Sequence, residues 1–307
     1  MNLRSAYLLV TKAKMFFPSI LAASKTHCWF SFRPLSRAPS QAFSCLLALA
    51  LTSPFAMAET LTLAGTGAGL GTMQLLAAGF AKVAPAVAVV VLPNMGSSGG
   101  MKALGAGVID LAVTSRPLKV EEVAQGFTAV EYGKTPFVFV TRMPGAGGFK
   151  SLSELVEVYA GERPVWPDGS PIRLIMRPRN DGDSALLEAI SPAMKQAVQT
   201  ALARPGIMVR STDQDAADAI ESIPGALGAT SLALVIAEGR KLSLLPVNGI
   251  HPSPQTIADG RYPYFKTMFL VRKPGANELV SRFIAFVDSP PGRQILSKSG
   301  HWVTSRQ

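Results

Sequence analysis

From Glu59 onward, short β-branched or apolar runs alternate with amphipathic stretches, and this rhythm constrains the fold more than any other feature of the chain. It is the pattern of βα units packed around largely parallel sheets. Residues 61–64 read as a strand. Met73, Leu76, Phe80 and Val83 follow at helical spacing and mark one face of a helix that ends near Pro85. Residues 87–92 form a continuous apolar run, as expected of a strand buried on both faces. Met101 and Leu104 mark a second helix, and strands are predicted at 111–114 and 136–141. After a Gly-rich loop at 144–148, a new set of elements begins. Helices are predicted at 151–159 and 213–222, one long helix at about 184–202, and strands at 172–176 and 207–210. A Pro- and Gly-rich passage at 248–263 leads to a strand at 267–271 and helices at 277–288 and 291–298. The expected class is α/β.

The chain before Glu59 has a different texture. Residues 1–58 hold six basic residues (Arg4, Lys12, Lys14, Lys25, Arg33, Arg37), no Asp or Glu, and both cysteines, Cys28 and Cys45. Arg33 and Arg37 precede the apolar stretch 42–51, which ends in Ala56-Met57-Ala58. That is the order of a charged region, a short hydrophobic region and a signal-peptidase site, so export with cleavage after Ala58 is predicted. The apolar stretch is shorter than the roughly 20 residues a transmembrane helix needs. Cys45 lies inside it rather than after it, so no lipid anchor is expected. The formal charge of +10 then drops to +4 for the chain from Glu59 on, which has 24 basic and 20 acidic residues. So small an excess does not make a nucleic-acid surface, which needs clustered cations. With no cysteine and only two histidines left, disulfide scaffolds, thiolate chemistry and metal centres lose their ligands, and no cofactor is implied.

Two turns between a strand and a helix are rich in glycine: Gly65-Thr66-Gly67-Ala68-Gly69-Leu70-Gly71-Thr72 and Asn94-Met95-Gly96-Ser97-Ser98-Gly99-Gly100. Glycine lets backbone amides converge, and the following helix aims its unpaired N–H groups at the same point, so each turn is a candidate anion cradle. Neither fits a nucleotide motif. The hydroxyls of Thr66, Thr72, Ser97 and Ser98 stand beside these amides. A third segment, Arg177-Pro178-Arg179-Asn180-Asp181-Gly182-Asp183-Ser184, adds guanidinium forks at the start of the long helix, with Asp183 or Ser184 placed to cap it. The second turn also satisfies G-x-S-x-G, the pattern of a hydrolase elbow, with Ser98 as nucleophile and His251 or His301 as base. No His-Gly-Gly-Gly-type oxyanion segment accompanies it, and a cradle accounts better for the glycines.

The order Gly65-Thr66-Gly67-Ala68-Gly69, then Gly96-Ser97-Ser98-Gly99-Gly100, then the stretch from Asp110 to Leu118, resembles the periplasmic phosphate-binding proteins of ABC importers. The later block Asp259-Gly260-Arg261-Tyr262-Pro263 adds to the likeness, which spans nearly all of 61–302. The resemblance implies an α/β fold of two lobes, with two mostly parallel sheets and a double-crossover hinge. Residues 59–139 plus 246–307 would form one lobe and 140–245 the other. It implies an extracytoplasmic solute-binding protein, not an enzyme, that captures phosphate or a related oxyanion for an ABC permease in the inner membrane. A monomer is expected. By position, the ligand would meet the backbone at Gly69 and Leu70 near Thr72, the hydroxyls of Ser97 and Ser98, and the segment Arg179, Asp183 and Ser184. The family's acidic proton acceptor falls at Ser115, so that feature is missing; Asp181 or Asp183 could substitute, and Arg116 adds positive charge. Asp183 also replaces a serine of the family pattern. These departures leave open which oxyanion binds, and an oxyanion sensor or adaptor on the same fold is the alternative.

Overall fold

The computed structural model describes residues 59–143 and 145–303. The expected export segment, its cysteines and the expected cleavage position fall on residues outside those described. β1 (Glu59–Gly65), β2 (Val87–Val91) and β3 (Leu111–Thr114) are parallel neighbours in the order β2-β1-β3. Their crossovers are α1 (Gly67–Phe80) and α2 (Gly96–Gly105). β9 (Phe265–Arg272) returns antiparallel to β3, and β4 (Thr128–Thr141) lies antiparallel to β9. β7 (Ala226–Ser231), β5 (Arg173–Met176) and β6 (Met208–Val209) complete the path β2-β1-β3-β9-β4-β7-β5-β6, and β8 (Ser243–Leu245) pairs with β4 beside it.

The α/β class holds, but the arrangement of strands is a correction. The described strands follow one path of mixed rather than mostly parallel pairing, in which β4 pairs with β9 over residues 128–136 and with β7 and β8 over residues 137–141. Parallel pairing is confined to its two ends, because β9 and β4 carry the chain back across the middle.

Three further differences have local causes. β2 lies at the edge of the path and alternates in burial, with Val90 41% exposed, so its apolar run is not that of a strand covered on both faces. The long helix expected at 184–202 is two, α5 (Gly182–Ala189) and α6 (Pro192–Ala203). Pro192 lacks the N–H that an unbroken helix would use, whereas at N1 it costs nothing, and the Ser191 hydroxyl caps the new start by accepting from Met194 N at 3.0 Å. β4 begins well before Pro136, pairing with β9 from Thr128, and a bulge at Glu131–Gly133 breaks the two-residue alternation by which its first half would be recognised. In its second half Phe137 and Phe139 join one apolar cluster with Leu155, Tyr159 and Met194, while Val138 and Val140 join another with Ile175 and Ile220. Both faces of this half are therefore buried, which accounts for the unbroken run Phe137-Val138-Phe139-Val140.

Around β1, β3 and β9 a separate core gathers Leu61, Leu63, Met73, Leu76, Leu270 and Phe283. Phe80 meets Phe283 edge-on at 5.4 Å. That core includes α10 (Glu278–Asp288) and α11 (Pro290–Lys298). Just after α11, His301 is 1% exposed, with its ring 5.5 Å from that of Tyr132. Burial pushes its pKa down to about 4, opposed by nearby backbone groups at Leu296 and Ser299. Above the ordinary value of 6.5 the ring is neutral whether the chain is folded or not; below it, only the unfolded chain takes up the proton readily. Stability is therefore expected to fall by about 3 kcal/mol between pH 6.5 and 4. Urea titrations across that range should show the loss in the natural protein and little of it in His301→Leu; equal acid sensitivity in both would rule out this histidine as the cause.

Candidate functional site

The carboxyl ends of β1 and β3 and the turn after β2 bring three hydroxyls together. Thr66 follows β1 and precedes α1, with its N–H pinned to Val113 O at 2.9 Å and its hydroxyl free of any capping bond. Gly65 makes this approach possible: its φ is +150°, and a Cβ there would overlap the Val113 carbonyl. Ser97 lies in the first turn of α2, where its Oγ accepts from Ser115 N at 3.1 Å and stands 3.4 Å from Ser115 Oγ. Ser115 Oγ is in turn 3.4 Å from Thr66 Oγ1. Thr66 is buried, whereas Ser97 and Ser115 are half-buried.

A buried charged cluster lies next to this row. Arg177, at the end of β5, contacts Asp181 at 2.9 Å and Asp213 at 3.8 Å. Asp213 opens α7 (Asp213–Ser222). Lys266, 1% exposed on β9, bonds Asp183 and stands 3.8 Å from Asp213. Burial pushes Asp183 up to about 6; Lys266 pulls against that rise, and Asp213 and Asp181 add to it. For Lys266, burial favours loss of the proton, but the facing carboxylates outweigh it and its pKa is raised. The lysine thus stays charged.

Amide and hydroxyl groups join the cluster to the hydroxyl row. Asn94 donates from Nδ2 to Asp213 at 3.0 Å and to Gln214 at 2.9 Å, while its Oδ1 accepts from Gly96 N at 2.8 Å. Gln214 donates to Gly67 O at 3.2 Å, and Ser231 donates to Ala68 O at 3.2 Å. Gly67 is packed so closely beneath Asn94, Asp213 and Gln214 that a methyl group there would overlap all three side chains.

The residues singled out from sequence are distributed unevenly over this arrangement. Ser97 and Ser115 meet in the hydroxyl row, and Asp183 enters the charged cluster. Ser184 is fully buried, but its hydroxyl donates to Arg177 O at 3.1 Å and so holds the turn. The cap of α5 is Asp181, which accepts from Asp183 N at 2.9 Å, rather than Asp183 or Ser184. Arg179 is exposed, and it is Arg177 that turns inward. Arg116 is held by both oxygens of Glu122, at 2.7 and 2.8 Å, so its charge is already matched. Glu122 belongs to a short helix not foreseen from sequence, α3 (Val120–Ala124). Gly69 N is bonded to Thr66 O at 3.1 Å, Leu70 lies in the apolar core, and Thr72 is buried within α1. Ser98 is exposed and has no histidine partner among the described residues.

Lys266, Asp213, Asn94 and Gln214 were not anticipated. For Lys266 a signal existed: it shares the two-residue period of Met268 and Leu270, so it occupies the buried face of its strand. A cavity of about 450 Å³ elsewhere is lined by Arg142, Glu221, Glu238, Gly239, Arg240 and Lys241. It contains none of these residues, and Arg240 there is already paired with Glu238 at 2.7 Å and Glu221 at 3.3 Å.

Hydroxyls, helix starts and buried charges are gathered where parallel strands end, the edge at which open α/β sheets commonly take ligands. Residues 53–290 match a family model described as PBP superfamily domain, and the chain belongs to that family. The phosphate-binding protein PstS of Borreliella burgdorferi is 24% identical over 219 residues, covering 69% of this chain and 78% of that one. A structure described as a candidate phosphate ABC transporter substrate-binding protein of Clostridium perfringens, with bound phosphate, superposes with a TM-score of 0.69 at 20% identity. It covers 80% of this chain and 100% of its own. The periplasmic molybdate-binding protein of Azotobacter vinelandii has the same fold, with a TM-score of 0.57 at 16% identity over 80% of this chain and 100% of its own.

Proposed function

We propose that the chain is an extracytoplasmic solute-binding protein that captures phosphate or a similar oxyanion for an ABC permease and performs no catalysis. The observation that carries this reading is the row of Thr66, Ser97 and Ser115 hydroxyls set beside two buried cations, Arg177 and Lys266, at adjoining strand ends. Hydroxyl and charge-assisted bonds of this kind contribute about 1 to 3 kcal/mol each, so several together can hold a desolvated anion. The names of the relatives support an oxyanion and, through the molybdate-binding protein, leave its identity open.

In this reading residues 59–139 plus 246–307 act as one lobe and 140–245 as the other, and they close over the ligand by a hinge motion. Among the described residues no helix is long and apolar enough to cross a membrane. Delivery to the periplasm rests on the export segment read from sequence. Arg179 keeps a place in the proposal as a second guanidinium two residues from Arg177.

Calorimetry of the chain starting at Glu59 with phosphate, sulfate, molybdate and tungstate tests the reading. At least one anion is expected to bind, and Ser97→Ala is expected to weaken it more than tenfold, about 1.4 kcal/mol. Unchanged affinity in Ser97→Ala would overturn the site. Absence of binding to all four would leave the sensor or adaptor reading, which the charge balance of the cluster favours, since three carboxylates already face two cations.

A further inference from the structure

We propose that the charged cluster is a self-liganded anion site: the carboxylate of Asp183 occupies, on Lys266, the place an incoming oxyanion takes, so that carboxylate and ligand compete and binding is coupled to proton uptake. The inference rests on the anion site proposed above and deepens it.

Lys266 is 1% exposed, and a bare ammonium at that depth requires a facing anion. Asp183 supplies one directly and Asp213 a second at 3.8 Å. The cluster nevertheless holds one carboxylate too many. Arg177 and Lys266 carry two positive charges against Asp181, Asp183 and Asp213. A further anion can join this group only if a negative charge leaves it or is neutralised. Asp181 is committed twice, to Arg177 and to the cap of α5, and Asp213 is held by Asn94. The side chain of Asp183 has Lys266 as its single bonded partner, which makes it the group that can yield.

The groups facing Asp183 set the sign of its titration. They are Lys266 of β9, Asp213 of α7, Asp181 at the start of α5, Arg177 just after β5 through Asp181 and Asp213, and Tyr159 of α4 (Leu152–Ala160), whose hydroxyl is kept protonated by burial and then by Asp183. Burial and the two neighbouring aspartates favour the neutral acid, and a second anion beside it favours that form further. Protonation turns Asp183 from competitor into hydrogen-bond donor and frees Lys266. The junction also keeps a donor in reserve: Arg177, 6% exposed, has its buried Nε without a hydrogen-bond partner.

The test is calorimetry with inorganic phosphate on the natural chain from Glu59, Asp183→Asn and Asp183→Ser, from pH 6 to 8, in buffers of different ionisation enthalpy. Comparing protein with protein at each pH cancels phosphate's own ionisation. Both variants are expected to bind at least tenfold more tightly than the natural protein at pH 8. The advantage should shrink toward pH 6, and the natural protein should take up more protons on binding than either variant, as read from the buffer dependence of the heats. Natural binding with equal or weaker binding in both variants overturns the competition and leaves the capture function standing. Binding by the variants alone supports the competition and counts against capture by the natural protein. No binding by any of the three removes both.

Discussion

Replacing Arg177 by alanine is expected to lower the free energy of unfolding by about 3 to 5 kcal/mol, the cost of stripping one partner from a buried ion pair. Arg177 is 6% exposed, and among the described residues its removal leaves Asp181 with no cation at hydrogen-bond distance and Asp213 with Lys266 as its one cation, at 3.8 Å. It also removes the bond from Arg177 Nη1 to Arg210 O at 2.7 Å, which ties the end of β5 to the strand-end loop that leads into α7. Arg179→Ala, only two residues away, is the informative control. Arg179 is exposed, and surface substitutions usually change stability by no more than about 0.5 kcal/mol. Urea unfolding of both variants should separate them by several kcal/mol; similar stabilities would mean that the inward placement of Arg177 is wrong.

The second large effect is expected at Gly67. This residue opens α1 with an ordinary backbone, so alanine suits its conformation and improves the helix by up to about 1 kcal/mol. The added methyl group meets Asn94, Gln214 and Asp213 from across the junction. Gly67→Ala should therefore keep a native circular-dichroism spectrum and unfold cooperatively while its anion affinity falls about a hundredfold, roughly 2.7 kcal/mol. Loss of the fold would mean that Gly67 is needed for the turn itself, and full affinity would mean that the packing of α7 over α1 has no part in binding.

Much of the architecture is legible in the chain because local rules and tertiary demands agree there. β3 occupies the residues expected of it, and α7 starts and ends as expected because Thr212 caps it, accepting from Asp215 N, and its apolar residues repeat at helical spacing. What was not legible depends on neighbours distant in sequence. No property of residues 87–91 says that β2 lies at an edge; that follows from the order of strands. The split between α5 and α6 was readable at Ser191-Pro192, where the cap and proline signature outweighs the apolar periodicity running through it. At the site, glycine and hydroxyl patterns led to Thr66 and Ser97, since a turn's chemistry is written locally, whereas Ser115 was singled out only through the family resemblance. The choice between Arg177 and Arg179 is not, because both follow the end of β5 and the contacts of Arg177 with Asp181 and Asp213, formed only in the folded turn, decide which guanidinium is inside. Lys266 and Asp183 are 83 positions apart, and only the folded chain pairs them.

The most direct test of the central claim is a crystal structure of the chain from Glu59 grown with phosphate at slightly acidic pH. The account predicts one oxyanion within about 2.7 to 3.2 Å of Ser97 Oγ and of a nitrogen of Lys266 or Arg177, with the Asp183 carboxylate turned away from Lys266 or bonded to the anion as the acid. An anion seated instead among Arg142, Arg240 and Lys241, with the Asp183–Lys266 pair intact and the Thr66, Ser97 and Ser115 hydroxyls unused, would contradict it.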